Sequence, residues 1–427
     1  MRLTVFPLLL VAVSVPTQAA TASCPKICES ALSYIKFSGN KTEAQCTNNL
    51  HIISYYACLR QFCPSKAESG YSTLQHSCED VGAVPDISNV TLPLDSLVEF
   101  TFQDIRKKTS HAGLLAPSLY ALSQRTITSA IEADELNEHY GNAIYGFWGI
   151  VLLLSALNQV CTFVRTRAPS ATRFFYLDSR APRALVNATR RHLLIPKIAA
   201  PQNERLAGWC AFPTRLQSLL VFSFVALNVI LHLVSHDVFE GNLKRPRISA
   251  QVARSLGHRT GYIIMANLPI MWTFAMRNNI LTWFSGWSFA TFNVYHRWIA
   301  RVIVVELITH AVAYTLVTYD SGGSTKYKAQ WSAEYWIWGV VALIVGCLAC
   351  VTGLYSIRRR FYDAFLLGHI VIALLFLIGT WFHLKKRDDD FVFYFWPCVA
   401  VWAFDRAMRY GRLFVLNRSL GRAMVVY

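Results

Sequence analysis

The sequence predicts an all-α polytopic membrane protein with a small disulfide-rich exterior domain. Three observations carry that expectation. Of 427 residues, 54% are hydrophobic and only 15% charged, too apolar a balance for a chain solvated mainly by water. From residue 141 onward, apolar runs recur at about 20 residues, the length that crosses a hydrocarbon core of about 30 Å. Ahead of those runs, six of the eleven cysteines crowd into a short polar segment.

At the amino terminus Arg2 precedes an apolar stretch to Val15 and small residues at Ala19 and Ala20. These are the parts of a secretory signal peptide, expected over 1–20. An exported segment meets an oxidising medium, so Cys24, Cys28, Cys46, Cys58, Cys63 and Cys78 read as disulfides rather than a metal cluster. Spacing alone leaves their pairing open. The sequons at Asn40 (NKT) and Asn89 (NVT) lie in the same region and fit a glycoprotein. This extracellular Cys-rich domain is expected over 21–139.

Seven spans follow, at approximately 141–164, 216–235, 261–280, 294–318, 335–356, 361–384 and 391–410. The first is an extra leading span, which together with the basic loop behind it occupies 140–215. The other six form a core over 216–410. With an extracellular amino terminus, the inner connections carry the basic stretch from Arg165 to Arg191, then Arg277, Arg358 to Arg360, and Arg406, Arg409 and Arg412. That arrangement obeys the positive-inside rule and leaves the carboxy terminus cytosolic. One segment is discordant: 236–260 holds Lys244, Arg245, Arg247, Arg254 and Arg259, yet must lie outside if all seven spans are real.

The formal charge of +16 is thereby a matter of topology, and the partner it implies is membrane lipid, not nucleic acid. No GxGxxG or GxxxxGK[ST] occurs, so nothing in the sequence cradles a nucleotide phosphate. In the tail, 411–427, FVL and MVVY flank NRSLGR and read as two short strands.

Ionisable groups inside spans are expensive and are functional candidates by default. Four of the twelve histidines form a pattern. His296 and His310 lie fourteen residues apart on the fourth span, and His369 and His383 show the same separation on the sixth. Fourteen helical steps rise roughly 21 Å and return to within about 40° of the same face. Both helices run from inside to outside, so His296 is expected to face His369 near the cytosol, and His310 to face His383 near the exterior. Facing imidazoles are a bis-histidine haem site, whose iron has no vacancy for oxygen and is suited to one-electron transfer. The core is therefore expected to be a six-helix haem-binding unit with two haem b groups.

Other buried polar groups carry less. Arg301, Arg297 and Arg259 are candidates to offset haem propionate charge, with Arg277 a further one, though each also suits a membrane interface. Glu306, one turn before His310, is placed to orient that imidazole, to lie near the electron's exit, or to pair with Arg301 or Arg297. His232 in the second span reads as a hydrogen-bonding core residue. Cys347 and Cys350 form a CxxC inside the fifth span and read as packing residues. No catalytic residue beyond the haem ligands is assignable.

The run from Arg259, RTGYIIMANLPIMWTFAMRNNILTWFSGWSFATFNVYHRWIAR, resembles the transmembrane component of fungal ferric-chelate reductases, relatives of the NADPH oxidases. It combines RTG, the NLP step, RNN, the Gly286 loop and HRW. The segments FYDAFLLGHIVIALLFLIGTWFH and WAFDRAMRYGR are similar to that family too, and the resemblance covers approximately 216–416. It implies an NADPH-type oxidoreductase of the plasma membrane. Electrons would pass from cytosolic NADPH to FAD, through the two haems, and on to extracellular ferric or cupric chelates, releasing ferrous iron for uptake. Family members continue into flavin and nicotinamide domains that bind FAD and NADPH, and 411–427 looks like the start of that flavin-binding barrel cut short. The donor would then be a separate flavin domain or a full-length homologue in trans. Three alternatives remain open: a superoxide-generating oxidase core, a truncated haem-loaded subunit without enzymatic activity, and a transporter with proton-relaying histidines.

Overall fold

The computed structural model describes residues 22–37, 46–79, 97–167, 184, 187–194, 196, 205–206, 210–211, 213–385 and 391–420. The signal segment, both sequons, most of the basic loop after the first span and the last seven residues lie outside them. The fold is all-α and polytopic, and the chain divides into two compact units.

The first unit comprises residues up to Leu136 together with His236–Val252. Its helices are α1 (Cys24–Ser33), α2 (Asn49–Phe62) and α3 (Ala67–Cys78). Pro25 opens α1 where a helix has no use for the missing N–H. Asn48 caps α2 by accepting from the Leu50 N–H at 2.9 Å. The cysteines pair as Cys24–Cys63, Cys28–Cys58 and Cys46–Cys78, so the expected disulfides form and their connectivity is settled. Cys28, Cys58 and Cys78 are fully buried among Leu32, Leu59, Leu74 and Tyr71, so the bridges lie within the apolar core. A parallel pair, β1 (Val98–Phe100) and β2 (Gly113–Leu115), closes the unit.

The basic segment that strains the positive-inside rule folds into this unit. Leu243 is buried in its core and donates its N–H to Thr126 Oγ1 at 3.3 Å. Arg125 lies 3.6 Å from Asp237, and Gln251 brackets both the N–H and the carbonyl of Phe239. Residues 236–252 therefore lie on the same side of the membrane as the disulfides, whatever their charge.

The second unit comprises Asn137–Ser235 and residues from Ala253 onward. Among the described residues five helices are long and apolar enough to cross a bilayer. They are α4 (Pro117–Arg167, apolar to Val164), α5 (Arg215–Leu233), α8 (Phe289–Gln330), α9 (Glu334–Thr352) and α11 (Tyr362–Leu384). The other two expected spans are helices as well, α6 (Ile248–Ala275) and α12 (Val392–Leu420), but fall below that hydropathy. In α6 the apolar run is diluted by Arg259, Thr260 and Asn267, all wholly buried. In α12 it is diluted by Asp405, Arg406 and polar-tipped aromatics.

Short helices α7 (Leu281–Ser285) and α10 (Tyr355–Arg360) lie at the turns between longer ones. Gly286 ends α7 at φ +69°, the left-handed cap that suits glycine. α8 is regular until Gly322 and Gly323, where φ +61° and ψ −154° at Gly323 break it. α9 and α11 pack closely through small residues: a Cβ at Gly379 would come within 3.3 Å of the Ala342 backbone.

The tail corrects the sequence reading. Phe414–Leu416 is not a strand, because α12 runs on as helix to Leu420. A three-residue strand with no partner leaves its backbone unbonded, whereas helix satisfies it internally, and Leu, Arg and Met favour that choice.

Candidate functional site

α8 and α11 carry the four histidines, and the structure brings them together in the two expected pairs. The ring centroids of His296 and His369 are 6.5 Å apart, with planes at 83°. Those of His310 and His383 are 6.3 Å apart, with planes at 79°. Two imidazoles sharing one metal set their centroids roughly 6 Å apart, since each ligating nitrogen stands about 2 Å from the ion. Among the described residues no three of His, Cys, Asp and Glu converge on one point. Each pair would therefore take the rest of a coordination sphere from a ligand carrying its own donors, as a porphyrin does.

Backbone carbonyls orient three of the rings. His296 Nδ1 lies 2.9 Å from the Met271 carbonyl, His310 Nδ1 2.8 Å from that of Gly257, and His383 Nδ1 2.8 Å from that of Tyr335. Carbonyls only accept, so each Nδ1 carries the proton and each Nε2 keeps the lone pair that a metal would take. His369 Nδ1 is buried without such a partner. Glu306, expected as an orienting group for His310, is displaced from that role by Gly257.

Bare backbone makes room for the rings. A Cβ at Gly339 would stand 2.7 Å from His383 Nδ1, and one at Gly261 3.4 Å from His310 Cε1. Around these two histidines opens a cavity of about 340 Å³, lined by apolar and aromatic side chains including Leu307, Phe376, Tyr314 and Tyr335. The imidazole pairing, the anchored Nδ1 protons and the apolar cavity beside His310 and His383 fit a haem.

None of Arg259, Arg297 and Arg301 is among the residues lining that cavity. Arg259 is fully buried and spends its donors elsewhere: Nε on Asn137 Oδ1 at 3.0 Å, the rest on the carbonyls of Leu231, Val234 and Ser235. It thus clamps the carboxy-terminal end of α5, where helix carbonyls lack partners and a cation is favoured. Arg301 lies over the Trp298 indole at 4.7 Å, and Arg297 follows His296 directly, partly buried. Arg277 and Asn278 direct backbone N–H groups at Asp405 Oδ1. Sequence reasoning passed over Gly339, Tyr314 and Tyr335. Only the recurrence of small residues in α9 signals Gly339, and nothing local signals the carbonyl of Tyr335.

Fold and site together define a polytopic helical membrane protein with two facing-imidazole sites stacked along one pair of helices. Residues 260–380 match the family model described as Ferric reductase like transmembrane component. Over 287 residues, 65% of this chain, the sequence is 32% identical to Ferric/cupric reductase transmembrane component 1 of Candida albicans, covering 36% of that protein. It is 31% identical over the same share to a Probable ferric reductase transmembrane component of Candida albicans, covering 41% of it. It is 27% identical over 321 residues, 69% of this chain, to Ferric reductase transmembrane component 3 of Saccharomyces cerevisiae, covering 42% of it. No solved structure matches. Residues 260–380 are thus similar to the ferric reductase transmembrane components. It spans about two fifths, or slightly less, of the length of these curated relatives.

Proposed function

We propose that this chain is the membrane component of a ferric-chelate reductase, carrying single electrons across the plasma membrane through two haem b groups. His296 and His369 hold the inner haem, His310 and His383 the outer one. The observation that carries this reading is the double pairing of imidazoles, 6.5 and 6.3 Å between centroids, on helices of matching polarity. A haem held by each of these histidine pairs would supply one-electron redox chemistry.

The residues of the chain do the rest. The carbonyls of Met271, Gly257 and Tyr335 hold the Nδ1 protons, so the imidazoles stay neutral, keep one tautomer and present Nε2 inward. Gly339 and Gly261 keep the flanking backbone clear of the rings. Leu307 and Phe376 wall the outer cavity against water, which favours electron transfer over side reactions at the metal.

Electrons enter from a flavin- and NADPH-dependent donor on the cytosolic side, whether in the same polypeptide or in trans. They leave to extracellular ferric or cupric chelates, and ferrous iron is released for uptake. The printed names of the relatives, ferric and ferric/cupric reductase, favour metal chelates over dioxygen as acceptor. The test is to purify the chain and count haem by its pyridine haemochrome. Two haems per chain with bis-imidazole absorption bands, reducible by an NADPH-driven flavoprotein, are expected. Protein with no such bands would sink the proposal.

A further inference from the structure

One buried ionisable group has no part in the relay described so far. Glu306 stands on α8 ten residues after His296 and four before His310. It is 4% exposed, and neither carboxyl oxygen has a hydrogen-bond partner. Its polar neighbour is Asn267 of α6, itself wholly buried. Neither residue lines the cavity around His310 and His383.

A chain of donors and acceptors fixes what this carboxyl must be. Asn228 donates its Nδ2 to the Phe224 carbonyl at 2.8 Å, and a carbonyl can only accept. Asn228 therefore offers its Oδ1 to Asn267, which donates Nδ2 to it at 3.1 Å. That orientation leaves Asn267 Oδ1 as a buried acceptor without a partner. Three acceptor atoms, one on Asn267 and two on Glu306, then share a site with one donor left, the second Nδ2 hydrogen of Asn267, so acceptors outnumber donors. A carboxylate would add acceptors only, whereas a carboxylic acid adds the missing O–H, directed to Asn267 Oδ1.

Among the described residues no cation pairs with Glu306 in place of that proton. Ionisable groups among the described residues of α5, α6, α8, α9 and α11 include His232, Arg254, His258, Arg259, His296, Arg297, Arg301, His310, Cys347, Cys350, His369 and His383. His232 Nδ1 bonds the Asn228 carbonyl at 2.7 Å, Arg259 is spent on α5, and Arg301 lies over Trp298. Glu306 makes an ion pair with none of them.

We propose that Glu306 is a proton-binding site set between the two histidine pairs, a neutral carboxylic acid that keeps the middle of the electron path free of fixed negative charge. The assignment deepens the electron-transfer reading and its functional consequence rests on it. Each electron brings negative charge into a low-dielectric interior, and a carboxylate a few residues away would oppose it. The equilibrium involved is loss of one proton from the acid to give the carboxylate. Where rising pH drives that loss, haem held by either pair would become harder to reduce.

Two measurements on the full chain test this. Infrared spectra in H₂O and D₂O should show a protonated carboxylic C=O band that shifts on deuteration and is lost in Glu306→Gln. Redox titration of the haem bands should show potentials that fall at alkaline pH in the wild type and lose that fall in Glu306→Gln. An unchanged carboxylic band in the variant, or the same alkaline fall in both proteins, overturns the proposal. Should Glu306→Gln fail to fold, Asn267→Leu removes the acceptor of the proton and should shift the same band; an unmoved band overturns the assignment. The infrared arm needs no haem, so a chain with the Glu306 band but no haem absorption would refute the electron path and leave the proton site standing.

Discussion

Gly339 and His383 show how little room the site leaves. A methyl group at position 339 would meet the imidazole at 2.7 Å, well inside contact, and the Tyr335 carbonyl leaves that ring no free rotation. Gly339→Ala is therefore expected to release the outer haem and keep the inner one, as are His310→Ala and His383→Ala. Haem counted per chain should drop by about half; retention of both haems in all three variants would contradict the ligand assignment. Arg259 makes the opposite prediction. It grips the end of α5 through Leu231, Val234 and Ser235, so Arg259→Leu strands buried carbonyls and should cost roughly 2–4 kcal/mol of stability. A thermal melt followed by intrinsic fluorescence should fall while haem content and spectrum stay as in the wild type. The sequence exposed the four histidines because their spacing repeats on two helices, and helical periodicity converts spacing into direction. It gave no such lever on Arg259, whose partners lie 24 or more residues away in sequence and are mostly backbone atoms that no residue identity announces.

At the level of elements, the three bridges do for α1, α2 and α3 what a larger apolar interior would otherwise do. Cys28–Cys58 closes 30 residues, which by chain entropy contributes about 3–4 kcal/mol. Replacing both with serine should lower the denaturant midpoint of the unit, read as earlier protease cleavage between residues 22 and 136, with haem content untouched. Their existence was legible from an even cysteine count in a short polar segment. Their pairing was not, because it depends on how three helices stack. The ends of elements were read least well: Phe414–Leu416 has the β-branched and aromatic look of a strand, yet the helix entering from Val392 simply continues. Similarly α6 falls short on hydropathy because its polar residues are buried against protein rather than facing lipid.

For the molecule as a whole, the membrane arrangement is testable from either face. Residues 236–252 share a core with the disulfides, so Glu240→Cys and Ser69→Cys should both react with a membrane-impermeant maleimide on intact cells. Arg359→Cys, in the basic turn before α11, should react only after permeabilisation. Labelling of Arg359→Cys on intact cells, or protection of Glu240→Cys, would reverse the proposed orientation. Five of the seven expected spans were legible from composition because lipid imposes one rule on every residue of a span; the other two are helices of lower hydropathy. The side taken by 236–252 was harder to read, since its positive charge argued inward while Leu243, packed among the half-cystines, keeps it with the disulfide-bearing unit.

Both imidazole pairs hang from the same two rods, and this makes the rods a ruler. The vertical gap between the sites is set by fourteen peptide units on each side, a covalent length that side-chain repacking cannot stretch. Tunnelling rates depend steeply on distance, and here that distance is written in residue count. A single residue inserted midway along either rod would swing the ring beyond it through about 100° and dissolve one rung while sparing the other.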